Sequence, residues 1–236
     1  MSRLLKGLAY WSLEITGASI LLFNYQPYPR QQQIIAAYAS AKNAFRLAST
    51  LLALRTRYNS LMDSSEEAAA NAHHEIAQKI HGLCEQSQGV YARMGQVASK
   101  WKGIVPGEYR QELSKLTELV PQERDYNQIR TAISETFHKE PKEIFDGFKT
   151  VPLSVNLFWQ TYRAVLLDNY REVTVKVMPP SVRMQAQYDM ALLRAALPYV
   201  TDYMQKRDAS PETVRLIERT VEESMKAVEG ELDLGK

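Results

Sequence analysis

Apolar residues recur at helical spacing along most of this chain, and only one region carries the aromatic and β-branched runs of strands. Gly7 to Tyr25 is the most continuous apolar stretch, preceded by Arg3 and Lys6 and interrupted by the single charge of Glu14. It is long enough to cross a bilayer as a helix. Leu13, Leu21, Leu22 and Phe23 are central to this candidate membrane anchor. Glu14 near its middle costs about 3 kcal/mol, comparable with the gain from the apolar residues, so spanning alone is marginal. A partner helix that satisfied Glu14 would tip the balance, and Ser12, Gly17, Ala18 and Ser19 permit close helix approach. The alternative is a core or interfacial helix. After Pro27 and Pro29 the spacing predicts one long helix over 31–58, with Ile34, Tyr38, Ala41, Phe45, Ala48 and Leu52 in one stripe. Lys42, Arg46, Arg55 and Arg57 stand mostly off that stripe. Such a helix either lies along an anionic membrane surface or presents a solvated charged face.

Asp63, Ser64 and Ser65 supply a turn and a helix cap. A third helix is expected over 66–86, then a break at Gln88-Gly89, then a fourth helix with Val90, Met94, Val97 and Trp101 on its apolar stripe. Helices over 107–118 and 126–138 flank Pro121. Leu157 to Leu167 and Glu172 to Met178 bracket a polar Asp168-Asn169 turn and read as a β-hairpin, which Pro179 and Pro180 end. Two further helices follow, near 181–206 and 211–230. The expected fold is mainly α with a small β-sheet, divided into an anchor and amphipathic lead-in over 1–65 and a helical extension with a small sheet over 66–236.

Charge narrows the partners. The 29 basic residues against 27 acidic ones leave a formal charge of +2, too small a surplus to neutralise a phosphate backbone, so nucleic acid is not an expected partner. Cys84 is the only cysteine, which excludes an intrachain disulfide and a cysteine zinc site; its expected role is that of a small buried hydrophobe. His73, His74, His81 and His138 lack an acidic partner at a diagnostic spacing, so no metal site is expected.

Two segments stand together: Gly89-Val-Tyr-Ala-Arg-Met-Gly-Gln96, then Val105-Pro-Gly-Glu-Tyr109 with Leu113, Leu116, Val120 and Pro121 behind. They resemble the signature extension of the UbiB or aarF-domain atypical kinases, whose Lys-x-Gly-Gln motif precedes a Leu-Pro-x-Glu-Tyr segment and a Val-Pro. The resemblance continues through Ile129, Ile133, Ile144, Phe145, Phe148 and Pro152 to Val173-Thr-Val-Lys-Val177 and Glu231-Leu-Asp233. The apolar start followed by a helical lead-in looks most like the mitochondrial, membrane-anchored branch.

Phosphoryl transfer needs a phosphate-cradling loop, a strand lysine paired with a helix glutamate, a catalytic aspartate and magnesium ligands. The resemblance makes Lys176 the strand lysine and Gln160 the glutamine of the nucleotide loop, both as vestiges. In the family that loop is rich in alanine and ends Ala-Gln-Val-His; here it reads Val155-Asn-Leu-Phe-Trp-Gln-Thr-Tyr162, with Trp159 where a small residue belongs. Such bulk obstructs close backbone approach to a phosphate. Arg93 replaces the family lysine, a non-conservative exchange of a planar fork for a compact ammonium. Gly95 and Gln96 of that motif remain, as do Glu231 and Asp233 of a Glu-x-Asp motif. The glutamate expected to pair with Lys176 falls beyond Lys236, and with it the larger kinase lobe. The resemblance therefore implies a truncated pseudokinase with an eroded N-lobe-like sheet, no kinase C-lobe, no catalysis and no cofactor. The expected role is a structural subunit of a mitochondrial inner-membrane complex, such as a respiratory complex or ATP synthase, with other subunits and membrane lipids as partners. The alternative is a nucleotide- or lipid-binding regulator of ubiquinone biosynthesis.

Overall fold

The computed structural model describes residues 28–61, 66–121, 124–207 and 209–233. The anchor candidates Leu13, Glu14, Leu21, Leu22 and Phe23 lie outside these residues. Among the described residues, no helix is long and apolar enough to cross a membrane.

The chain begins with α1 (Tyr28–Leu61), followed by α2 (Glu66–Ser87), α3 (Gly89–Ser99), α4 (Gly107–Ser114) and a 3₁₀ turn over Lys115–Glu118. Next come α5 (Tyr126–Phe137) and the single turn α6 (Pro141–Ile144). The strands β1 (Phe145–Phe148), β2 (Ser154–Val155), β3 (Gln160–Leu166) and β4 (Glu172–Val177) precede α7 (Pro180–Gln205) and α8 (Pro211–Leu232). The mainly α architecture with a small sheet agrees with the expectation. Helix starts follow local chemistry. Pro180 and Pro211 occupy first-turn positions, where a missing N–H costs no bond, and the Ser210 hydroxyl accepts from the Thr213 N–H at 3.1 Å.

In the sheet, β3 is central and pairs antiparallel with β1, β2 and β4. Leu157 to Trp159, expected at the start of a strand, instead form a turn, because the Asn156 N–H donates to the Trp159 carbonyl at 2.8 Å and pulls that stretch out of the ladder. β1 and β2 went unforeseen; four and two residues are too few to show a period. Alternate residues Gln160, Tyr162 and Ala164 of β3 are buried. The last two join Phe145 and Val177 against Ile129, Ala132 and Ile133 of α5.

The largest core lies between α3, α7 and α8, where Val90, Ala186, Met190, Met225 and Val228 enclose Leu157 and Phe158 of the loop before β3. A third cluster joins α2, α3 and α4 through Cys84, Tyr91, Leu113 and Leu116. Cys84 is buried among them and its thiol is pushed up to about 12, as loss of solvent disfavours the thiolate. Helix α3 therefore ties the extension to the rest of the molecule.

Helix α1 packs on α2 and α7 with its polar residues inward. Gln32, Ala36, Ser40 and Asn43 are buried, whereas Tyr38, Phe45 and Leu52 of the apolar stripe are 73, 76 and 64% exposed. The inner face is held by hydrogen bonds to a buried carboxylate on α7: Ser40 Oγ donates to Asp189 Oδ1 at 2.7 Å and Asn43 Nδ2 to Oδ2 at 3.0 Å. An unmet charge there would be costly, which is why the polar side of α1 faces in.

Candidate functional site

The loop that would approach a phosphate runs from Ser154 to Trp159. Two of its backbone donors are turned on the loop itself, the Asn156 N–H to the Trp159 carbonyl and the Leu157 N–H to Asn156 Oδ1 at 2.6 Å. Leu157 and Phe158 are committed to the main core, and the Trp159 ring packs against the same cluster. The β3–β4 register sets Lys176 opposite Thr161, next to the loop's end. There the Lys176 ammonium lies 3.3 Å from the centre of the Trp159 ring. The ring's negative face takes the cation, a contact worth about 0.5–1 kcal/mol at an exposed site. Gln160 is wholly buried; its Oε1 accepts from the Tyr162 hydroxyl at 2.8 Å.

The motif residues of the extension form a second group. Arg93 of α3 is ion-paired with Glu231 of α8. Its Nη1 also donates to Gln96 Oε1 at 3.3 Å, and Gln96 Nε2 donates to the Leu116 carbonyl at 2.8 Å. A chain of polar contacts thus runs from α8 through α3 to the 3₁₀ turn. The wider guanidinium supplies the two directions this needs, which a point-like ammonium serves less well. Gly95 sits where α3 meets that turn: a Cβ there would collide with Leu116 Cδ1 and press on Cys84 Sγ at 3.3 Å. Asp233 follows the end of α8, whose last carbonyl, that of Leu232, accepts from Arg183 Nη2 at 2.8 Å.

Sequence reasoning placed Arg93 and Gln96 in one motif and Glu231 in another; the fold brings the two motifs together. It missed Trp159 as the seat of the Lys176 charge, and Asp189 altogether, whose only sequence signal is an acidic residue within a helical apolar pattern. Among the described residues, no group of three or more His, Cys, Asp or Glu could hold a metal ion. His73 Nδ1 is 3.0 Å from the Tyr109 hydroxyl and His74 Nε2 3.0 Å from Gln78 Nε2.

A strand lysine beside a loop before β3, together with a preceding helical extension whose arginine pairs with a Glu-x-Asp segment, marks the atypical-kinase class of folds. The ABC1 atypical kinase-like domain matches residues 115–236, and the chain belongs to that family. It is 31% identical over 132 residues to AarF domain-containing protein kinase 1 of Xenopus laevis, covering 56% of this chain and 25% of that protein. It is 26% identical over 194 residues to the ABC1 family protein MCP2 homolog of Schizosaccharomyces pombe, covering 76% of this chain and 33% of that protein. Over 104 residues it is 31% identical to a probable protein kinase UbiB of Shewanella baltica, covering 44% of this chain and 19% of that one. The chain thus spans a third or less of these relatives' lengths.

Proposed function

We propose that this chain is a non-catalytic accessory subunit of a membrane protein complex in the mitochondrial inner membrane, such as a respiratory complex or an ATP synthase. The observation that carries this reading is the loop before β3. The Asn156 and Leu157 N–H groups are used within the loop, the side chains of Leu157, Phe158 and Trp159 pack against the core, and the strand lysine rests on Trp159. A phosphate would have to displace both the indole contact and the internal hydrogen bonds. Helix α1 supports the subunit reading, since it offers an exposed apolar stripe while its polar side is already used; a contiguous apolar surface of this kind marks an interaction site. The mitochondrial placement extends the resemblance to the membrane-anchored branch.

The test is titration of the purified full chain with MgATP and MgADP, followed by indole fluorescence and thermal unfolding. No saturable change at millimolar nucleotide is expected. Saturable binding that is lost on Lys176→Ala would overturn the proposal. A second reading, a lipid-binding regulator of ubiquinone biosynthesis, is favoured by one feature. An apolar groove of about 440 Å³ lies between α1 and α7, lined by Leu51, Leu54, Tyr199, Tyr203 and Met204 among others. Quinone or a precursor copurifying stoichiometrically with the chain would support that reading instead.

A further inference from the structure

On the α1–α3–α7 side of the molecule, a cleft of about 700 Å³ opens between α1, the α2–α3 junction, the start of α5 and the start of α7. It is predominantly polar in lining, unlike the groove near Tyr203. Three cationic side chains border it: Lys42 and Arg46 from α1, and Arg124 from the segment before α5. Arg46 is fixed by donating to the Gln86 carbonyl at 2.7 Å. Arg124 is held through Nη2, which donates to the Leu157 carbonyl at 3.0 Å, while its buried Nη1 has no hydrogen-bond partner among the described residues. Ser87, 5% exposed, lines the same cleft with a buried hydroxyl that is also unpartnered. Buried polar groups without partners are rare in folded proteins and costly to maintain, and two residues that line this cleft carry one each among the described residues.

Two carboxylates also border the cleft, and neither forms an ion pair with Arg124 among the described residues. Asp189 is engaged by Ser40 and Asn43, and Asp125 accepts from Asn127 Nδ2 at 3.1 Å. The backbone adds to the anion preference. Gln88 and Gly89 have φ of 52° and 46°, conformations that L side chains adopt at a cost. They turn the chain so that the opening of α3, with first-turn N–H groups that lack helical acceptors, borders the same space.

We infer that this cleft binds a phosphate monoester group, whether of a soluble metabolite or of a phospholipid headgroup, with Arg124, Lys42 and the Ser87 hydroxyl as its ligands. The site adjoins the loop before β3 through Leu157 but uses neither Lys176 nor Trp159, so Lys176→Ala, which tests the nucleotide reading, should leave binding here unchanged. The full chain, purified in dodecyl maltoside, is titrated with glycerol 3-phosphate in one arm. In the other it is titrated with mixed micelles containing phosphatidic acid, with phosphatidylcholine micelles as the control, and melting temperature is followed. A saturable rise with glycerol 3-phosphate identifies a soluble ester; a rise with phosphatidic acid alone identifies a headgroup. In either case Arg124→Gln and Lys42→Gln should each weaken binding about tenfold or more, and salt should weaken it further. Should Arg124→Gln fail to fold, the surface change Lys42→Gln and the small change Ser87→Ala carry the test. No saturable rise with either probe, or a rise that these variants leave unchanged, overturns the inference.

Discussion

Lys176 and Trp159 meet in a cation–π contact beside the loop before β3. The lysine's place on a strand was legible from Val173-Thr-Val-Lys-Val177, and so was the bulk of Trp159 in that loop. Their mutual contact was not, because it depends on the β3–β4 register, which local sequence does not fix. Lys176→Ala should lower unfolding free energy by only about 0.5–1 kcal/mol, the worth of an exposed cation–π contact, as read from chemical denaturation. A loss several times larger would mean that the lysine carries more than this ring contact. Asp189 makes a pH-dependent prediction. Burial raises its carboxyl above the ordinary range, only partly offset by the hydrogen bonds from Ser40, Asn43 and Gln185. A carboxyl whose folded pKa exceeds its unfolded value of about 3.9 stabilises the fold fully below that value and loses the contribution as pH rises through the folded one. Because Asp189→Asn does not titrate, the stability of the wild type relative to this variant should fall as pH rises above about 4. A difference that is flat or rises there would contradict the assignment.

At the scale of elements, periodicity identified which residues share a face but not which way the face points. The stripe from Ile34 to Leu52 was read correctly as a stripe, yet it lies outward, because Asp189 on α7 demands donors that Ser40 and Asn43 of α1 supply. A partner 149 residues away cannot be found from spacing within one helix. Two substitutions separate the faces. Phe45→Ala should change the stability of the isolated chain by no more than about 0.5 kcal/mol, as an exposed change. Ser40→Val, which strips a buried carboxylate of a donor, should cost about 1–3 kcal/mol. Equal costs for the two would show that α1 is not oriented as described. Helix α3 offers a second check. Gly95→Ala gains up to about 1 kcal/mol of helix propensity, but must displace the fully buried Leu116, with a typical overpacking cost of about 1–3 kcal/mol. Net destabilisation is expected in thermal unfolding, and a stabilised variant would show that α3 and the 3₁₀ turn are less tightly packed. Most helices announced themselves through spacing, proline and caps; β1 and β2 did not, since their pairing with β3 supplies what four and two residues cannot specify alone.

For the whole molecule, the family segments bind together what the sequence presents far apart. Arg93 and Glu231 are remote in the chain, yet they close α3 on α8 around the main core. The extension and the sheet-bearing part share that core, so the retained motif residues hold the architecture together whether or not any chemistry remains. The apolar side of α1 is left facing outward, and the proposed subunit role assigns its contact with a membrane complex to that surface. The most direct test of the accessory-subunit account is native-gel migration of the tagged full chain from membranes solubilised in mild detergent, compared among the wild type, Lys176→Ala and Phe45→Asp. The account predicts comigration with a large membrane complex for the wild type and for Lys176→Ala, and loss of that comigration for Phe45→Asp despite normal folding. Migration of the wild type as a free monomer, or release on Lys176→Ala with Phe45→Asp still bound, would contradict it.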